Sequence, residues 1–379
     1  MPTTTRREFL QHALATGAAT TLTGPRRAAA SSPRPPFPYV DGLTFFSPDA
    51  ADIDASGLSA FICDVSSAER LDSADGAVKY WRSFEACVKS MTATRRRLAA
   101  GELAGAFLAT RGREVAEAHR AGRTAVFFQI QGGGEAVGED LWRLETFHEL
   151  GLRVFQITHH NDNPWGGGAI EREWRGLTKV GHEGVERLDA LGMVADLSHV
   201  SEPTSLDVLR VSTRPVIVSH SAARAIVPNA RCTPDNVIRG VAESGGAFGV
   251  FMMSFWLTTA AEPSVEAFVQ QVRHVVKVGG IDAAAVANDY TVAGELNAAK
   301  AGNDNAKAIV NYHAWWDAVG REGVMGFETR PSHVVIPELN NVRRMFLIHE
   351  ALDRAGFTAD EVEKIMGGNW IRVLTDALG

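Results

Sequence analysis

From residue 36 onward, short apolar, often β-branched runs alternate with longer stretches whose apolar positions recur at helical spacing. The first kind reads as strands buried on both faces, the second as amphipathic helices. Strands are expected at 39–45, 60–65, 125–130, 153–158, 193–197, 215–219, 248–252 and 284–289. Helices at 86–100, 181–191, 204–211, 235–244 and 265–278 fall between them, and two more, near 340–355 and 358–378, close the chain. Strands alternating with helices predict a parallel sheet, and eight such strands predict one α/β domain, a (β/α)8 TIM-type barrel with C-terminal helices, over 36–379. The competing arrangement, an open doubly wound sheet, requires a glycine-rich phosphate turn after the first strand. That strand is followed by Phe46-Ser47-Pro48, and Gly132-Gly133-Gly134 after the third lacks both the GxGxxG spacing and a phosphate-loop lysine.

Residues 1–35 break the pattern. Arg6-Arg7-Glu8-Phe9-Leu10 precedes a weakly apolar run from about Ala13 to Thr23, then Arg26-Arg27-Ala28-Ala29-Ala30 and a Ser/Pro-rich linker. This resembles a twin-arginine (Tat) export signal cleaved after Ala30. The expected location is therefore the periplasm or the exterior, with the Tat machinery as a transient partner. The apolar run is too short and polar to anchor the chain in a bilayer.

Bulk composition narrows the picture only slightly. With 379 residues, 45% of them hydrophobic, the chain can fill a large core. A net charge of −7 with scattered basic residues excludes a nucleic-acid surface, and Arg95-Arg96-Arg97 reads as a solvated helix face. Cys63, Cys87 and Cys232 form no CxxC pair, so neither a thiolate metal site nor a structural disulfide is expected.

Chemistry in a barrel gathers at the C-terminal ends of its strands. There the sequence places Gln131, His159 and His160, Ser198 and His199, His220 and Asp289 on the third, fourth, fifth, sixth and eighth strands. Histidines on three successive strands with an aspartate on the last suit a metal or hydrolytic site, and imidazole with carboxylate suits zinc. Trp165, Phe251, Phe255 and Trp256 are candidates for apolar walls.

The words around these residues carry a family likeness. Asp196-Leu197-Ser198-His199-Val200-Ser201, Ser219-His220-Ser221-Ala222-Ala223-Arg224, Thr158-His159 with Asn163-Pro164-Trp165, Gly176-Leu177-Thr178 and Gly367-Gly368-Asn369-Trp370 resemble the membrane (renal) dipeptidases in order and spacing along nearly the whole mature chain. The resemblance implies a metal-dependent amidohydrolase-type barrel that cleaves dipeptides, often with a D-residue on the C-terminal side, and that is commonly a homodimer. It assigns His199 and His220 to the second of two metals. His159 becomes the substrate-polarising histidine, Arg231 the binder of the substrate carboxylate and Asp289 the handler of the catalytic proton. Arg231 lies in a loop, where a surface ion pair is the competing reading.

Three positions depart from that pattern. The family's Asp-Gly-His-x-Asp is here Asp41-Gly42-Leu43-Thr44-Phe45, and its Glu-Gly-Gly is Gln131-Gly132-Gly133. Leu43 and Phe45 share a strand face and offer no lone pair, and the neutral amide of Gln131 bridges cations poorly. All three belong to the first metal. The expectation is one zinc ion at most, on His199 and His220, completed by Asp289 or Gln131. Three functions stay open: hydrolysis of a dipeptide or peptide-like amide, metal-independent acid/base catalysis on a peptide-like substrate, and a non-catalytic periplasmic binding protein derived from a dipeptidase.

Overall fold

The protein is described by a computed structural model over residues 34–72 and 78–379. The expected export signal lies outside the described residues, apart from the end of its linker.

The strands are β1 Tyr39–Asp41, β2 Leu58–Asp64, β3 Glu69–Asp72, β4 Val78–Trp81, β5 Ala106–Leu108, β6 Thr124–Ile130, β7 Leu152–Gln156, β8 Val194–Asp196, β9 Val218–Ser221, β10 Phe248–Val250 and β11 Ala284–Val286. Parallel pairing runs β1–β2–β6–β7–β8 in one ladder and β9–β10–β11 in another. Backbone hydrogen bonds close both seams: Leu197 N–H to Ile217 O at 2.8 Å and Ile217 N–H to Ala195 O at 3.0 Å, then Gly42 N–H to Val286 O at 3.0 Å and Asp289 N–H to Leu43 O at 2.8 Å. The eight expected strands therefore form the expected barrel. β3 and β4 pair as an antiparallel hairpin, and β5 lies beside the start of β6; neither was expected from the sequence.

Alternation on the strands sorts inner from outer faces. Val126, Phe128 and Ile130 of β6 face the surrounding helices, whereas Ala125 and Phe127 join Ile62, Val154, Val194 and Ile217 in a separate inner cluster. The C-terminal helix Asn369–Leu378 stops the N-terminal end of this interior. Its Trp370 is fully buried in the inner cluster and donates its indole N–H to Val286 O at 2.9 Å. Above the apolar layer lies a polar one, Gln129, Gln156, Asp196 and Ser219, all fully buried. It forms the floor under the C-terminal mouth.

Several boundaries differ from expectation for local reasons. The regular strand expected at 39–45 ends at Asp41, although single backbone bonds to its neighbours continue at Gly42, Thr44 and Phe45. A Cβ at Gly42 would stand 2.4 Å from Trp370 and 2.5 Å from Ser219 O, so only glycine lets the chain pass there. The closing helix expected at 358–378 is Ala359–Glu363, a π turn Lys364–Gly368 and Asn369–Leu378. At the π turn, a Cβ on Gly367 would stand 2.1 Å from Pro38 O. The bulge sits where the helix passes the chain entering β1.

Candidate metal centre

The mouth gathers the residues the sequence singled out, and one more. His159 and His160 follow β7, His199 follows β8, His220 lies in β9 and Asp289 follows β11. His199 Nε2 is 2.8 Å from His220 Nε2, and His199 Nδ1 is 3.0 Å from His160 Nδ1. His159 stacks on His199 with ring centroids 4.5 Å apart. Ligand atoms of His159, His160 and His199 all lie within 4.8 Å of one another. Asp289 Oδ1 stands 3.9 Å from His220 Nε2.

Arg231 belongs to this cluster and not to a surface ion pair. It is 2% exposed. Its Nη2 donates to His199 Nε2 at 2.9 Å and to His220 O at 3.1 Å, and its Nη1 donates to Ser221 Oγ at 3.2 Å. The guanidinium lies over Phe251 and Trp256, 5.1 and 5.3 Å from their ring centroids. Burial lowers its pKa to about 10, so it remains a cation at neutral pH. Of the other aromatic candidates, Phe255 packs edge-on against Trp256, whereas Trp165 stacks with Phe155 in the outer core.

Hydrogen-bond polarity fixes the imidazole tautomers. Asp196 receives two backbone N–H groups, from Ser198 and Ser219, both serine hydroxyls, and the amides of Gln129 and Gln156. Six donors leave it acceptor-only, so the Ser219 hydroxyl proton points to Asp196, at 2.7 Å. Ser219 Oγ must then accept from His220 Nδ1, also at 2.7 Å, which leaves a lone pair on His220 Nε2. Arg231 can only donate, so His199 Nε2 also presents a lone pair. Burial first, and the Arg231 charge next, hold both imidazoles far below the usual histidine range. The two acceptor nitrogens thus approach each other with the Arg231 guanidinium on His199 Nε2, and a cation bound there would replace that guanidinium as the partner of the His199 lone pair. The His159, His160 and His199 ligand atoms are the group that converges among the described residues, with His220 adjoining it through His199 and Asp289 adjoining His220.

The other side of the mouth has a different character. Leu43 is fully buried and Phe45 half-buried. The backbone N–H of Gln131 binds Asp64 Oδ1 at 3.2 Å, while its Nε2 is buried without a hydrogen-bond partner among the described residues. Nearby, Glu135 receives the backbone N–H and the guanidinium of buried Arg82.

Three of the five described non-glycine residues with positive φ are His160, His199 and Asp289, at 66°, 65° and 63°. Left-handed backbone costs roughly 1–2 kcal/mol per residue, and here it turns strand ends so that side chains face the mouth. Sequence reasoning missed Asp196 and Ser219 as orienting groups and gave His160 no role. The sole hint was that each stands next to a singled-out histidine or within its word.

Comparison with known proteins agrees with this architecture. The membrane dipeptidase family (peptidase family M19) matches residues 51–311. Dipeptidase tcpJ of Claviceps purpurea is 30% identical over 269 residues, 69% of this chain and 53% of that protein, so the chain spans about half the length of this relative. An amidohydrolase from Pseudomonas aeruginosa superposes with a TM-score of 0.74 at 23% identity, over 90% of this chain and 97% of that one. A Rhodobacter sphaeroides metallopeptidase, solved with a phosphinate mimic of the dipeptide L-Ala-D-Ala, gives 0.70 at 19%, over 90% and 99%. At those identities the two structures speak for the fold. On the family match over most of its length, the chain belongs to the membrane dipeptidase family.

Proposed function

We propose that the protein is a dipeptidase-like hydrolase that acts on a dipeptide or peptide-like amide with a single zinc ion held by His199, His220 and Asp289. The observation that carries this reading is the approach of the His199 and His220 Nε2 atoms to 2.8 Å, with the His220 tautomer set from behind through Ser219 and Asp196. A zinc ion held there would supply a water of lowered pKa, the nucleophile that aspartate and histidine alone lack for an amide. Arg231 pairs with the substrate carboxylate in bidentate fashion. His159 donates a hydrogen bond to the scissile carbonyl oxygen. With one carboxylate oxygen toward the ion, Asp289 would use the other to take the proton from the attacking water and return it to the leaving amine. Leu43, Phe45 and Gln131 supply no second set of ligands, so the chain holds one ion and not two.

The test is an elemental count of metal on the purified chain with a dipeptide panel assayed with and without chelator. Near-stoichiometric zinc with chelator-sensitive turnover is expected. No metal and no turnover sinks the hydrolase reading and leaves a binding protein. Chelator-insensitive turnover lost in Asp289→Asn replaces it with metal-independent acid/base catalysis. Export belongs to the same proposal: Arg6→Lys with Arg7→Lys should hold the chain in the cytoplasm. Among the described residues no helix is long and apolar enough to cross a membrane.

A further inference from the structure

Gln131 occupies the position that the resemblance gives to a bridging carboxylate, and its chemistry there is reversed. The side chain of Gln129, two residues earlier on β6, points into the barrel, where its amide donates to Asp196 and Ser219. Strand alternation therefore aims Gln131 at the same interior, one layer nearer the mouth. It is 5% exposed, and its Nε2 has no partner among the described residues. A buried donor left unmatched is costly, so it marks a place for an acceptor that arrives with a ligand. The next residue, Gly132, is left-handed, and a Cβ there would stand 3.1 Å from the His159 Cβ, so the chain leaving Gln131 passes against His159.

The groups around it define what that ligand carries. In sheet order β1–β2–β6, Phe45 follows β1 half-buried and Gln131 follows β6, while Leu43 adds no polar side-chain atom. A free α-ammonium needs a carboxylate, and those near this side are engaged, Asp41 by Asn288 and the Leu43 N–H and Asp289 by the proposed ion. Asp64 accepts from the Ser66 backbone and hydroxyl and from the Gln131 N–H, and Glu135 is held by Arg82. An acyl group fits instead, with a carbonyl oxygen to accept from Gln131 and an apolar tail to lie against Phe45.

We propose that the mouth selects an amino-terminally acylated substrate, an N-acyl dipeptide or N-acyl amino acid, and that Gln131 is the residue that reads the acyl carbonyl. The proposal rests on the peptide-like substrate of the hydrolase reading, but its test needs no turnover. Binding of a phosphinate dipeptide mimic to the zinc-loaded protein is measured by calorimetry in three forms: free amine, N-acetyl and N-octanoyl. The acylated forms should bind at least about 10-fold tighter than the free amine, as a matched hydrogen bond plus buried methylenes would give. Gln131→Met keeps the volume and removes the donor. It should cut that preference about 10-fold while raising Tm, because an unmatched buried donor is gone. A structural role for Gln131 alone would move Tm and leave the preference untouched. Equal or tighter binding of the free amine, an unchanged preference in Gln131→Met, or binding of none of the three overturns the proposal. Acyl preference without hydrolysis of any substrate overturns only the hydrolase reading.

Discussion

The two sides of the barrel mouth are built on different terms. On the β7–β9 side the histidines are tied into a polar network: Asp196 receives six donors, Ser219 links it to His220, and Arg231 donates to His199. On the β1–β6 side, Leu43 and Phe45 offer only carbon and Gln131 presents an unmatched amide. Both sides stand on the same kind of strand end, so the barrel alone does not set the chemistry of each half. The contrast teaches that one half of the mouth can lack liganding side chains while the other keeps its hydrogen-bonded support.

The comparison breaks most completely if its polar side is removed. His220→Ala should abolish zinc binding and lower kcat/KM by about 1000-fold or more, read by elemental analysis and dipeptide assay together. The apolar side can be rebuilt: Leu43→His, Phe45→Asp and Gln131→Glu together should raise bound zinc from one ion per chain toward two. A count that stays at one would mean that the β1 backbone, and not its side chains alone, has given up the first site. Asp196→Asn tests the support without touching a ligand, and zinc affinity should fall about 10- to 100-fold in a competition titration with a chromophoric chelator. The smallest effect concerns pH. His199 and His220 are held neutral by burial, with pKa values below those of the unfolded chain. Their contribution to stability is therefore complete above about pH 6.5 and is lost as pH falls below it. The Tm of the metal-free protein should drop between about pH 7.5 and 5, and His220→Gln should drop less. Asp41 has the opposite sign: burial raises its pKa to about 7, so its contribution is lost as pH rises toward 7. It is common to both proteins and cancels in the difference.

Much of the fold was legible because it is written in local period. All eight barrel strands overlap their expected positions, and His159, His199, His220 and Asp289 lie at their C-terminal ends as the strand pattern places them. What stayed hidden depends on pairing across the chain. Nothing local to Asp196 says that Gln129, 67 residues earlier, will donate to it, and nothing near Arg231 says that a loop arginine will be buried between Phe251 and Trp256. The β1 strand was read too long because its shape is set by Trp370, which passes beneath Gly42 from the far end of the sequence. The β3–β4 hairpin and β5 were missed because they lie outside the repeating strand–helix unit.

The seam between β11 and β1 gives the site a history as well as a shape. Asp289, the proposed proton carrier, is seated by its N–H on Leu43 O, and next to it Asn288 N–H reaches Asp41 Oδ1 across 247 residues of sequence. No shorter piece of chain can make those bonds, and contacts of such separation form late, after the entropy of closing a long loop has been met. The centre therefore comes into being as the last strand docks on the first. A chain still emerging from the ribosome has the histidines but not the assembled mouth, and under the proposed zinc reading capture of the ion would report that the barrel has closed.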